Sequence, residues 1–395
     1  MKRHIYIIIG LISVATVLFS SCSTDLSEDL ITPATGEDDG MVDVTVNFTV
    51  EDLENYTTRG DDEAGEQSTL KDIDLLVYAL RDEKGNILKQ YGKGIVDEEL
   101  KDCPAIKNYT ETDDNNQTLM KVEWKKNNGK YEMKEKITLR VMRGTVFKLS
   151  CWTQSSNHAA YDFNSLEDVK VDYTKMEIND ESYDAFCATS IFSVGQVDAN
   201  ITVTLTRPFA QINVGVEDAT NNNYSEYKYS QIKLNGVHTS FNVVKNEVNE
   251  GTKDEDVTLG YSPLSNTTLK VTTGLDDKKE TKIYQSLAMC YVLVPETSYE
   301  KDENGNIKDG ATASENSPTE DGVVSPAVTP SMLKLVSFSL AKDANGSEAK
   351  TYTPATDKAE ISVKRNWRTN LLFEDWNWAD QNSSSSTSRL IMNKQ

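Results

Sequence analysis

Few residues in this chain are of a type and spacing that could do chemistry. The histidines are His4, His158 and His238, and a Ser-His-Asp or Cys-His device needs one such base oriented by a third group. His158 sits in a polar stretch and His238 just ahead of a strand pattern, and neither has a nucleophile motif beside it. Walker loops, GxGxxG, HExxH and the nucleophile elbow are all missing. Asp302, Asn304 and Asn306 put oxygen ligands at alternate positions, but Gly305 falls too early for an EF-type calcium loop and the closing glutamate is lacking. The 63 Asp and Glu residues could supply a glycosidase pair, yet no two are set apart from the rest. No catalytic residue, metal or cofactor is therefore expected. The chain reads as a binding or assembly protein, not an enzyme.

Two residues point to covalent processing instead. Lys2 and Arg3, the mostly apolar run from Ile5 to Phe19 and the small pair Ser20-Ser21 form a secretory signal that ends at Cys22. The run is shorter than the roughly 20 apolar residues a membrane-spanning helix needs. Leu18-Phe19-Ser20-Ser21-Cys22 looks like a bacterial lipobox, so Cys22 is expected to be acylated and to tether the mature chain to a membrane. An ordinary signal peptide with an incidental cysteine is the competing reading. The second residue is Arg59, in Tyr56-Thr57-Thr58-Arg59-Gly60-Asp61, inside a polar linker of the kind where proteolytic nicking concentrates. A cut between Arg59 and Gly60, a merely solvated loop, and recognition of Arg59-Gly60-Asp61 as an integrin-type tripeptide all remain open.

Charge narrows the partners. The chain carries a formal −22, and losing Lys2 and Arg3 with the signal takes it to −24. Such a protein repels phosphate backbones and anionic lipid headgroups, which argues against nucleic acid as a partner. Beyond Cys22 the cysteines are Cys103, Cys151, Cys187 and Cys290, with no CxxC spacing. Cys151 shares a strand face with Phe147 and Leu149 and reads as a buried thiol; a Cys103–Cys187 bridge is open in an exported protein, although no spacing calls for it.

The elements that would hold these residues are strands. Residues 22–40 are polar and acidic and read as a flexible tether. Val44, Val46, Phe48 and Val50 then alternate with Asp43, Thr45, Asn47 and Thr49, which gives a half-buried strand. Further strands are expected at 73–80, 87–91, 118–124, 131–133, 137–141 and 146–152, with Gly85 and Gly144 among the turn residues that tolerate positive φ. The stretch 158–195 reads as loops with a short strand or helical turn. A second block of strands starts at 201–205, is broken by Arg207-Pro208, and resumes at 209–214. It continues at 231–234, 240–244, 257–259, 269–273, 289–294, 333–340, 350–353 and 361–371. Residues 296–330 form a long acidic loop. Within it, Lys301-Asp-Glu-Asn-Gly-Asn-Ile307 echoes Arg81-Asp-Glu-Lys-Gly-Asn-Ile87. Many short strands and no long amphipathic helix indicate an all-β protein of sandwich type.

These pieces together resemble the fimbrillins of Bacteroidales, the type V pilin superfamily of lipoprotein precursors. The resemblance runs through Cys22, Thr58-Arg59, Ile73-Asp-Leu-Leu-Val-Tyr78 with Asp82 and Gly85, and Ile137-Thr-Leu-Arg-Val141 with Gly144 and Phe147. Its most specific parts are Leu205-Thr-Arg-Pro-Phe-Ala-Gln-Ile-Asn-Val214, Tyr291-Val-Leu-Val-Pro295 and Val363-Lys-Arg-Asn-Trp-Arg-Thr-Asn370. It implies two tandem transthyretin-like antiparallel β-sandwich domains, here 41–206 and 207–378, after a signal peptide (1–21) and tether (22–40), with a Ser-rich tail at 379–395. It also implies an outer-membrane, surface-exposed lipoprotein without enzymatic activity, with other fimbrial subunits and an Arg-specific surface protease as partners. Cleavage after Arg59 would release the strand bearing Val44, Val46, Phe48 and Val50, and a neighbour's strand would fill the groove. Candidate donor residues are Leu371, Phe373, Leu390, Ile391 and Met392. The alternative is a surface lipoprotein that does not polymerise and binds glycan or peptide through exposed aromatics such as Trp376 and Trp378.

Overall fold

Alternation of apolar and polar residues becomes strand after strand in the computed structural model. The structure describes residues 40–394 except 52–69, 89–99, 101, 108, 110–116, 128–129, 218–223, 253–255, 266, 274–279, 296–330, 355–358, 367 and 374–389. Ahead of Pro208 run β1 (Met41–Glu51), β2 (Leu75–Asp82), β3 (Thr118–Lys121), β4 (Trp124–Asn127), β5 (Lys130–Met133), β6 (Ile137–Met142), β7 (Val146–Gln154), β8 (Tyr161–Asp162), β9 (Val169–Val171), β10 (Ala185–Ser193) and β11 (Ala199–Leu205). After it come β12 (Phe209–Glu217), β13 (Tyr229–Asn235), β14 (Ser240–Asn242), β15 (Glu247–Val248), β16 (Val257–Pro263), β17 (Thr268–Thr273), β18 (Glu280–Leu293), β19 (Ser331–Ala341), β20 (Lys350–Tyr352), β21 (Glu360–Val363), β22 (Arg368–Phe373) and β23 (Leu390–Lys394). The helical pieces among the described residues are short turns, such as Tyr173–Lys175 and Glu181–Tyr183, each started by an aspartate side chain that accepts a backbone N–H. The protein is all-β.

In the first half, β11, β1, β5 and β4 form one sheet, with β6 also paired to β1, and β10, β7, β2 and β3 form a second. Val42, Val44, Val46, Phe48 and Val50 of β1 meet Leu76, Tyr78, Leu80, Leu149 and Cys151 of the facing sheet in one apolar core. The second half repeats the scheme, with β17-β18-β12-β22-β23 in one sheet and β16-β13-β19-β20 in another. The first strand of each half pairs parallel with a late one, β1 with β11 and β12 with β22. Each pair is separated by more than a hundred residues of chain, so the long connection that a parallel pair requires is present. The other strand pairs described are antiparallel, as expected for sandwiches of this kind, and these two are the parallel exceptions.

The halves also share structure. The small sheet β15-β14-β9-β8 draws β8 and β9 from the first half and β14 and β15 from the second, with Phe241 opposite Val169. Trp152, fully buried, packs against Tyr161, Phe209 and Phe241 with ring centroids 5.6, 6.2 and 6.5 Å away. The stretch read as loops with a short strand or helical turn contains the short β8 and β9 and two helical turns, and in addition the nine-residue β10.

Two further readings change. The pattern at 361–371 is not one strand. The chain turns at Asn366, which takes φ 58°, so that β21 and β22 enter different sheets; asparagine tolerates this left-handed region better than most residues. All four described cysteines are free, which removes the Cys103–Cys187 bridge. Of the strand read at 87–91, the structure describes only a bridge between Ile87 and Arg81.

Candidate assembly site

β1 is an interior strand. On one side it runs parallel to β11, from Val44 opposite Ala199 to Val50 opposite Leu205. On the other it pairs antiparallel first with β6 (Val42 opposite Val141, Val46 opposite Ile137) and then with β5 (Val50 opposite Tyr131). Val44, Val46 and Phe48 have no exposed surface, and Val42 and Val50 have almost none. Burying five such side chains contributes about 8–15 kcal/mol in all, as an upper figure. The opposite face of β1 is tied only lightly. Asp43 accepts from the Arg140 guanidinium at 3.1 Å on the surface, Asn47 donates to the Ile201 carbonyl at 3.3 Å, and Thr49 and Thr204 hydroxyls lie 3.3 Å apart. β1 is therefore held by main-chain ladders and apolar pockets, with little side-chain chemistry that is specific to it.

β12, which takes the corresponding place in the second half, is held differently. Asp184, fully buried, accepts a bidentate contact from Arg207 with distances of 2.6 to 2.8 Å. Arg207 also donates to Asn366 Oδ1 at 2.9 Å and lies 5.0 Å from the Phe186 ring. Arg368 donates to Gln211 Oε1 at 2.9 Å, Gln211 to Asn213 Oδ1 at 3.0 Å, and Asn213 to Asn370 Oδ1 at 2.8 Å. Gln211 faces Arg368, and Asn213 faces Asn370, in the parallel β12–β22 register. Burial drives the Asp184 carboxyl above its ordinary value, and the adjacent Arg207 charge opposes it. The two sequence segments 205–214 and 363–370 thus meet in one buried polar network, which no single segment discloses.

The structure also brings together a Ser, a His and an Asp that the sequence kept apart. His158 Nε2 lies 2.5 Å from Ser182 Oγ and 3.8 Å from Asp180 Oδ2, and its ring stacks on Tyr183 at 3.9 Å. Ser182 donates its hydroxyl to Asp180 Oδ1. In a catalytic triad the imidazole takes the serine proton at one nitrogen while the carboxylate holds the other. Here the carboxylate holds the serine proton, and both oxygens face the same nitrogen. Asp180 further caps the 181–183 turn through the Ser182 N–H. Burial lowers the His158 pKa, against the opposing charges of Asp180, Glu177 and Asp72. The cluster fastens a turn, and nothing in it activates the serine. Among the described residues, no group of three or more His, Cys, Asp or Glu side chains could hold a metal.

Leu371 and Phe373 lie in β22, fully buried in the core of the second half. Leu390, Ile391 and Met392 belong to β23, antiparallel to β22 with Leu372 opposite Ile391. Cys22, Arg59, Gly60, Trp376, Trp378 and the Asp302–Asn306 loop lie outside the described residues. The last described residue of β1 before the Arg59 linker is Glu51, and the chain is next described at Leu70. No described helix is long and apolar enough to cross a membrane.

Residues 106–308 match a family described as a family of unknown function, DUF6562. No curated protein matches. Solved structures with a similar chain path include a fimbrial assembly protein from Parabacteroides distasonis, at 12% identity and TM-score 0.36, covering 89% of this chain and 100% of that one. Another is the fimbrial anchor protein Mfa2 from Porphyromonas gingivalis, at 9% identity and TM-score 0.35, covering 89% of this chain and 95% of that one.

Proposed function

The chain belongs to DUF6562, a family without an assigned function, and we propose that this protein is a structural or adhesive subunit of a bacterial surface fimbria. In this reading it is exported as a lipoprotein acylated at Cys22 and held at the outer membrane. An Arg-specific protease cuts after Arg59, β1 leaves, and a strand of another subunit takes its place by β-augmentation. The observation that carries the reading is β1 itself, an interior strand whose inner face is wholly apolar and whose outer face makes few side-chain bonds.

The magnitude constrains how exchange proceeds. The about 8–15 kcal/mol carried by the β1 side chains is as large as the whole stability of an ordinary domain, ~5–15 kcal/mol. A first half with an empty groove would therefore unfold. Cleavage must leave β1 seated until the incoming strand displaces it stepwise, pocket by pocket. The test is to express the native protein in its own cell type and read the mature N-terminus by mass spectrometry. A start at Gly60 in fibres, with an Arg59→Ala variant arrested as an acylated, unassembled chain starting at Cys22, is the expected outcome. Fibres of normal length from Arg59→Ala refute it.

A further inference from the structure

The mouth of the first half's core opens onto a pocket of about 220 Å³ lined by Leu70, Lys71, Trp124, Lys126 and Tyr131. Trp124 and Lys126 are alternate residues of β4, and Tyr131 faces Lys126 across the β4–β5 hairpin, so all three share one face. Leu70 and Tyr131 are buried and form the floor, while Lys71 and Lys126 stand exposed at the rim. The indole N–H of Trp124 donates to the Ile73 carbonyl at 2.8 Å, which fixes the plane of the ring. Lys126 Nζ sits 5.8 Å from the centre of the Tyr131 ring.

The charge around the pocket runs against that of the whole. The chain is at −22, yet residues 121–136 carry six lysines and three glutamates. Lys125 and Lys134 pair with Glu132 and Glu123, at 3.6 and 2.5 Å, and the hairpin sequence as a whole keeps a net positive charge. An anionic ligand is thus drawn to this hairpin and repelled from the remainder of the molecule.

We propose that this pocket binds one carboxylated sugar unit of an acidic polysaccharide, a uronic acid residue, with its ring against Trp124 and Tyr131 and its carboxylate at Lys71 and Lys126. The volume is below the roughly 300–1,000 Å³ of sites for drug-sized ligands, and suits a single ring. A pyranose presents a C–H face to an aromatic plane, and the fixed indole supplies one without an ordering cost on binding. The Ile73 carbonyl at the Trp124 rim is already occupied by the indole N–H, which favours a ligand held by ring and carboxylate. The site stands whether or not β1 is ever exchanged.

The test is calorimetric titration of the full chain with oligogalacturonate, with neutral dextran oligosaccharide and polyglutamate as comparison probes. Oligogalacturonate is expected to bind, more weakly as salt rises, and dextran and polyglutamate at least about tenfold more weakly. The Lys71→Ala/Lys126→Ala variant changes two exposed side chains and is expected to lose about tenfold or more in affinity, since it removes both charged donors to the carboxylate. Trp124→Ala, checked for fold by circular dichroism, should lose as much. No heat with oligogalacturonate, equal binding of dextran or polyglutamate, or an unchanged affinity in the double lysine variant each overturns the proposal.

Discussion

Replacing Asp184 by alanine tests the buried network between the two halves most directly. The substitution removes both acceptors of the Arg207 bidentate contact and leaves a guanidinium only 9% exposed, with Asn366 Oδ1 as its hydrogen-bond partner in this network. Breaking a buried ion pair from one side costs about 3–5 kcal/mol, mostly because the remaining charge stays out of water. At ~2–4 °C per kcal/mol for units of 150–250 residues, the melting temperature should fall by about 6–20 °C. Guanidinium titration is the primary assay, with a lower midpoint and unchanged slope marking lost stability, as opposed to a changed unfolded state. Asp184→Leu/Arg207→Met is the control, because replacing a whole buried pair with apolar groups is often neutral. It should recover most of the loss. A single Asp184→Ala variant within about 1 kcal/mol of wild type would refute the claim that this pair is desolvated and structural. So would a double variant less stable than the single one.

Other expectations follow from burial and backbone geometry. Burial pushes the Cys187 and Cys290 thiols up to about 12 and Cys151 further still, so among the four described cysteines a maleimide at pH 8 should label Cys103 alone in the native protein and all four in denaturant. Their folded pKa values are raised, so the stability they contribute is complete below the ordinary thiol pKa, ~8.5, and is lost as pH rises through about 12; alkaline unfolding should shift upward in Cys187→Ala relative to the loss its cavity causes at pH 7. His158 has the opposite sign of pH dependence, since its folded pKa is lowered. Its contribution is complete above the ordinary imidazole value, ~6.5, and falls as pH drops below that, so His158→Asn should flatten the pH dependence of the denaturation midpoint on the acid side. Gly346 takes φ +78° and an added Cβ would lie 2.7 Å from Tyr261 Cε2, whereas Gly85 takes φ +89° with open space around it. Gly346→Ala should therefore cost about 2–4 kcal/mol and Gly85→Ala about 1 kcal/mol, by thermal melts.

The features that can be read from the sequence are those encoded by neighbours in the chain. β6 and β13 alternate cleanly, as does β1 from Met41 to Phe48, and the structure buries every second residue there as the pattern requires. The turn at Asp82-Glu-Lys-Gly-Asn86 is equally local. Asp82 accepts the N–H groups of Lys84 and Asn86, and Gly85 supplies the positive φ. Its structural counterpart is not the 301–307 echo, which lies outside the described residues. It is Asp343-Ala-Asn-Gly-Ser347, where Asp343 accepts from Asn345 and Ser347 in the same way. What stayed hidden depends on distance along the chain. β10 has buried, alternately facing residues only because β7 lies beside it and Thr189 reaches the Val243 carbonyl. The 361–371 segment keeps one hydropathy pattern across a sheet change, because both flanking strands are buried on both faces. The pocket residues Leu70, Lys71, Trp124 and Tyr131 have no common motif, and only the approach of the segment ahead of β2 to the β4–β5 hairpin, through the Trp124 bond to the Ile73 carbonyl, assembles them.

The repeated topology makes the difference between β1 and β12 informative. Both start their halves, both pair parallel with a late strand, and both fill a core with alternating apolar residues. A strand held by main-chain bonds and methyl-lined pockets can be replaced by any segment with the same period, because none of those contacts reads side-chain identity beyond size. A strand carrying Gln211 and Asn213 into a buried network with Arg368 and Asn370 cannot, since a substitute would leave those groups unpaired at about 1–3 kcal/mol each. Local opening should therefore differ between the halves. Amide hydrogen exchange in β1 is expected to include a sub-global route that gains weight after cleavage in the 52–69 linker, while β12 and β22 exchange only with global unfolding. Equal protection of β1 and β12 in the cleaved protein would mean that side-chain polarity does not decide which strand can leave.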